Sequence, residues 1–169
     1  MKYFPGELAD RLRAEGDDVV QYLKSLTAEQ WDRDVYTDGH VWRVRDLLAH
    51  FIAAEQGFQQ LIQNVAAGGP GAGVDFDLNE YNHRTVSELR HNEADVLLGQ
   101  YAMVRERTVA MVRELEIKHM EMTGQHPAIG QAPLEDMIRA IYHHNSLHLR
   151  DVRRALRSNP GGEIKASPI

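Results

Sequence analysis

His144 and His148 stand four residues apart in the run Ile141-Tyr142-His143-His144-Asn145-Ser146-Leu147-His148-Leu149. On a helix that interval puts both imidazoles on one face, one turn apart, within reach of a single ion. Leu134, Ile138, Ile141, His148, Val152 and Ala155 advance by threes, fours and their multiples, and His144 falls into the same spacing. The pair therefore lies on or beside the core-facing stripe, while His143 points elsewhere. With nine histidines in 169 residues one such pair is common by chance, so burial decides its meaning. Adjacent buried imidazoles need hydrogen-bond partners or a metal, because an unsatisfied buried polar group costs about 1–3 kcal/mol. A pair satisfied by backbone or neighbouring side chains is the alternative, and this segment alone leaves both readings open.

His50, in Leu47-Leu48-Ala49-His50-Phe51, borders a second apolar stripe. The small residues Ala54 and Gly57 on the same side leave room above its ring. A lone histidine at a stripe edge is more often a satisfied core residue. Opposite an HxxxH pair in a bundle it becomes a candidate third ligand. The residue after His144 is Asn145, not the glutamate that a zincin uses as general base, which argues against a metalloprotease. Groups that orient the rings are sought among Glu55, Asn82, Asn145 and Asp151. Asn82 and Glu55 are the candidates for contact with a cofactor at the bundle centre, although Asn82 reads equally well as a surface amide. His83, His91, His119 and His126 read as surface or loop residues, and Trp31, Trp42 and Tyr81 as packing residues.

There is no cysteine. Any metal is then held by His, Asp or Glu, and any thiol chemistry needs a thiol from outside the chain. A net charge of −6 argues against a nucleic-acid partner. Arg150, Arg153, Arg154 and Arg157 read as a helix C-terminus complementing its own dipole. No apolar run approaches the roughly 18 residues that a membrane span needs. The first residues carry no apolar signal region and turn acidic at once, which points to a cytoplasmic protein without a membrane partner.

Four helical stretches must position these residues. The first runs from about Pro5 to Leu26, with Thr27 and Gln30 then forming a capping box for a short turn. Residues 36–40 read as a turn. The second helix runs from about Arg43 to Ala67 and stops at Gly68-Gly69-Pro70-Gly71. The third begins at an Asp77 cap and reaches about Leu115, with a kink or break at Arg90-His91-Asn92 and Asn92 as a new cap. The last runs from about Pro133 to Ser158. Between the last two, residues 116–132 form a connection long enough to be a lid or a dimer element. No segment reads convincingly as a strand. The expectation is an all-α four-helix bundle over residues 1–158 with a tail at 159–169.

Gly39-His40-Val41-Trp42-Arg43-Val44-Arg45-Asp46-Leu47-Leu48-Ala49-His50 resembles the second-helix signature of the DinB-like superfamily, and His144-xxx-His148 resembles its C-terminal motif. Asp77-Leu78-Asn79-Glu80-Tyr81-Asn82 is similar to a stretch in the branch related to mycothiol-dependent maleylpyruvate isomerases. The likeness runs from about Pro5 to Ser158. It implies a four-helix bundle, often a homodimer, with a three-ligand divalent metal site made here by His50, His144 and His148. The isomerase branch often has Glu at the second ligand position, where this chain has His144. That departure touches the specific isomerase assignment, since all-histidine sites are common elsewhere in the superfamily. The metal implied is zinc first and nickel second. The chemistries implied are transfer of an external low-molecular-weight thiol and metal-assisted hydrolysis of a small molecule. A non-catalytic bundle that sequesters a metal or a small molecule is the alternative function, and a bundle with satisfied core histidines the third.

Overall fold

A computed structural model describes residues 3–37, 41–73 and 75–157. Its helices are α1 (Pro5–Lys24), α2 (Ala28–Trp31), α3 (Val44–Ala66), α4 (Leu78–Leu89), α5 (Ala94–Arg113) and α6 (Leu134–Arg157). Helix α1 packs on α5 and α6, and α3 packs on α5, α6 and α4. The four long helices α1, α3, α5 and α6 make the bundle, with α4 lying along α3. The expected tail and the end of the last helix at Ser158 lie outside the described residues, as does the centre of the expected turn at 38–40.

The helix ends follow local chemistry. Pro5 occupies the first turn of α1, where its missing N–H costs nothing. Thr27 and Gln30 exchange the two bonds of a capping box at α2. Asp77 accepts from the backbone N–H groups of Asn79 and Glu80 at the start of α4. The expected third helix is broken into α4 and α5 by residues 90–93. The cap of α5 is Glu93, not Asn92: the Leu97 N–H already bonds the Glu93 carbonyl, while the Asn92 N–H turns back to Leu89.

Two small antiparallel sheets depart from the strand-free expectation. β1 (Asp34–Tyr36) pairs with β2 (Trp42–Arg43), and β3 (Thr123–His126) pairs with β4 (Gly130–Pro133). These strands are two to four residues long, and the second pair contains Gly124, Gly130 and Pro133, so neither alternation nor propensity marks them. The β3–β4 hairpin occupies the connection expected to be a lid or dimer element. It is hooked onto the segment that follows α3, where Gln125 exchanges backbone hydrogen bonds with Pro70 and Ala72. Gly71 has φ +90° and lies so close that a Cβ would strike the Gln125 backbone.

The core divides at mid-height. One apolar cluster contains Val19 and Leu23 of α1, Leu47 and Phe51 of α3, Leu97 and Tyr101 of α5, and Leu149 and Val152 of α6. The other contains Leu8 and Leu12, Ile62 and Val65, Val109 and Val112, and Ile138 and Ile141. Between them every bundle helix contributes a buried or half-buried polar group: Glu15 from α1, Glu55 from α3, Arg105 from α5, and His144, Asn145 and His148 from α6. Such a layer persists inside a core when its members satisfy one another or a ligand.

Candidate metal centre

His50 reaches the polar layer from α3, and His144 and His148 reach it from α6, one turn apart as their spacing requires. All three are about 95% buried, and their ligating nitrogens lie within 4.8 Å of one another. His50 Nε2 and His144 Nε2 approach to 2.8 Å. Zinc–nitrogen bonds of about 2.0–2.1 Å place tetrahedral ligand nitrogens roughly 3.3 Å apart. A small opening of this contact would admit an ion.

The far side of two rings fixes which nitrogen is free. The Tyr36 hydroxyl, from β1, lies 3.0 Å from Asp151 Oδ2 and 2.7 Å from His148 Nδ1. Burial and the Asp151 charge push the phenol pKa up, so Tyr36 keeps its proton and donates it to the carboxylate. His148 Nδ1 must then donate to the phenol oxygen, which leaves the Nε2 lone pair for a ligand. His144 Nδ1 lies 3.0 Å from Asn145 Oδ1. The Asn145 amide donates at 2.9 Å to Tyr101 and also pairs with Glu15, so its oxygen faces His144 and accepts from Nδ1–H. His144 Nε2 therefore carries its lone pair as well, and here it accepts from His50 Nε2–H at 2.8 Å. Among the described residues His50 Nδ1 is buried with no hydrogen-bond partner, an open requirement in a ring whose other nitrogen faces the cluster.

Electrostatics keeps the rings neutral. Burial, and then the neighbouring imidazoles, hold His50 and His148 well below the ordinary histidine range. Burial brings His144 down to about 4 against the opposing effect of the hydrogen bond that its Nδ1–H donates to Asn145. Neutral imidazole is the metal-ligating form. Three convergent neutral nitrogens, two of them oriented by further groups, fit a divalent transition ion.

A cavity of about 790 Å³ borders the three rings. Ala54 and Gly57 line it, as their small size led one to expect, and Phe58, Leu61 and Phe76 make much of its apolar wall. Trp42 and Tyr81 also line it: Trp42 packs 5.2 Å from the His50 ring, and Tyr81 donates to the Ala53 carbonyl. They therefore serve the cavity as well as the packing assigned to them from sequence. Among the described lining residues there is no Asp, Glu, Lys or Arg.

The groups sought around the rings separate. Asn145 and Asp151 take up orienting positions. Asn82 lines the cavity with its Oδ1 buried and, among the described residues, unpartnered. Glu55 stands apart from the lining, because both its oxygens receive Arg105 at 2.9 and 3.0 Å. A carboxylate this deeply buried requires such a counter-charge. Its link to His144 is indirect, through the Arg105, Glu15 and Asn145 network.

Sequence reasoning missed Tyr36 and His126. Tyr36 sits in a short strand 112 positions from His148, the histidine it contacts. His126, read as a loop residue, is 4% exposed and lines the cavity. Its place depends on the docked hairpin, which no local pattern announces.

The family model for the mycothiol maleylpyruvate isomerase N-terminal domain matches residues 12–153. YfiT from Bacillus subtilis is described as a probable metal-dependent hydrolase with an unusual four-helix bundle topology. It superposes over 93% of this chain and 88% of its own, with a TM-score of 0.75 and 16% identity. A variant of mycothiol-dependent maleylpyruvate isomerase superposes over 88% of this chain and 59% of its own, with a TM-score of 0.69 and 12% identity. At these identities the likeness is one of fold. No curated protein matches the sequence.

Proposed function

Because the chain belongs to the mycothiol maleylpyruvate isomerase N-terminal domain family, within the DinB-like superfamily, we propose that it is a metal-dependent transferase or hydrolase acting on a small molecule through His50, His144 and His148. One observation carries the reading: three buried neutral imidazoles converge where a cavity begins whose described lining holds no Asp, Glu, Lys or Arg. Zinc is the first expectation and nickel the second, since imidazole suits both. A divalent ion held by three imidazoles keeps a position for water or substrate, lowers the pKa of bound water, and can polarise a carbonyl or activate a thiol.

The chain's own groups do the rest. Tyr36 and Asn145 hold the protons of His148 and His144 on Nδ1, so both rings present Nε2 without rearranging. Phe58, Leu61 and Phe76 exclude water from the reacting end and accept the organic part of a substrate. The neutral amides Gln60, Asn64, Asn79 and Asn82 offer hydrogen bonds without charge. With no cysteine in the chain, a thiol nucleophile would enter as a low-molecular-weight cosubstrate. The mycothiol dependence of one structural relative supports the thiol branch, and the description of the other supports hydrolysis.

The test is elemental analysis of untagged protein beside a His144→Ala, His148→Ala double variant, followed by thiol-transfer and ester- or amide-hydrolysis panels. About one transition ion per chain, lost in the variant, with turnover that follows metal content, is the expected result. Metal without turnover across the panels would make the protein a sequestering bundle. No metal after reconstitution would leave a bundle with core histidines and end the enzymatic reading.

A further inference from the structure

We propose that His126 is a substrate-binding residue: its Nε2–H donates to an uncharged oxygen acceptor, a carbonyl or hydroxyl, on the molecule that occupies the cavity. The assignment begins with the hairpin. His126 pairs with Gly130 across the three-residue loop 127–129, and Gly130 takes φ +77°, the left-handed position that closes such loops. Within that loop the N–H groups of Ala128 and Ile129 lie 3.0 and 3.3 Å from His126 Nδ1. Backbone N–H groups only donate, so Nδ1 is the acceptor, and in a neutral ring the proton must sit on Nε2. Burial keeps the ring neutral, with its pKa down at about 4.

The donor so created is buried and has no hydrogen-bond partner among the described residues. Buried donors are nearly always paired, and one left open in a cavity wall is a place for a ligand. The tautomer also excludes His126 from the metal set, because its free nitrogen carries the proton and not the lone pair. Phe58 lies between the two functions, 5.4 Å from the His126 ring and 6.2 Å from the His144 ring. A ligand spanning them presents its reacting group to the histidine cluster and its acceptor to His126. With no Asp, Glu, Lys or Arg among the described lining residues to pair with a charged group, that acceptor is selected as a neutral oxygen. The reacting end of this account rests on the metal-dependent reading above; recognition by His126 does not.

The test separates donor from scaffold. In His126→Asn the shorter amide can accept from Ala128 N–H and keep the loop, but nothing reaches the Nε2 position. In His126→Gln the amide reaches that position as a donor and the loop bond is lost. Wild type and both variants, labelled with ¹⁵N-histidine, are titrated by NMR with acetophenone and with ethylbenzene, with and without zinc. The expected result is a shift of the His126 Nε2–H signal with acetophenone alone. Acetophenone affinity should fall about three- to tenfold in His126→Asn and recover in His126→Gln, with ethylbenzene affinity equal in all three. Equal acetophenone binding by wild type and His126→Asn would overturn the proposal. So would loss confined to His126→Gln, which would assign the ring to holding the loop, and so would failure of acetophenone to bind. Absence of any bound transition metal would sink the enzymatic reading while the acetophenone titration still decided this one.

Discussion

The phenol of Tyr36 and the imidazole of His148 meet at 2.7 Å, although 112 positions separate them in the chain. The contact settles the His148 tautomer, because the Tyr36 proton is committed to Asp151. Tyr36→Phe should leave the ring free to rotate and to change tautomer. Loss of an orienting partner typically lowers metal affinity about 10–100-fold. Competition with a chromophoric chelator measures this, and unchanged affinity would show that packing alone orients His148.

Acid should destabilise the metal-free protein in a defined window. An unfolded histidine titrates near 6.5, whereas His144 and His126 are held at about 4 and His50 and His148 well below the ordinary range. The unfolded chain therefore binds more protons as pH falls below 6.5, and stability declines from there towards pH 4. It is unaffected by these groups above 6.5. Each contributes at most about 1.4 kcal/mol per pH unit. Urea titrations of apo protein from pH 8 to 4 test this, and His144→Ala should flatten the slope.

Arg105→Met should damage the fold more than the metal site. The guanidinium is 3% exposed and is shared by Glu55, Glu15 and the Leu12 carbonyl. Its removal strands buried carboxylates, at a cost of about 3–5 kcal/mol. A lowered melting temperature with metal stoichiometry retained below the transition is expected. Loss of metal from folded protein would instead give the Glu55 network a direct part in ligation.

Gly71→Ala should unhook the hairpin. The residue has φ +90°, and its Cβ would collide with Gln125. A destabilisation of about 1–3 kcal/mol is expected from the backbone conflict. Hydrogen exchange at the Gln125 amide, which bonds the Pro70 carbonyl, should accelerate. Unchanged protection there would mean that the hairpin holds without this contact.

Much of this architecture was legible in local sequence because helices are local objects. The i, i+4 spacing of His144 and His148, the stripe they interrupt, and the end signals at Pro5, Asp77 and Gly68–Gly71 all act within a few residues. The break between α4 and α5 was visible as a lapse in periodicity at residues 90–92. Its cap fell one residue away, since several polar residues there compete for the same role.

The sequence by itself determined a helical bundle, its helix ends, and three histidines on inward faces. Tertiary structure alone decided what surrounds them. Tyr36 arrives from a three-residue strand, His126 from a hairpin held by backbone bonds to the loop after α3, and Glu55 turns to Arg105 instead of the cavity. Periodicity reports which face of an element is apolar. It does not report which polar groups from remote elements meet at one depth, because those pairings are settled by burial, charge and packing among segments that share no local pattern.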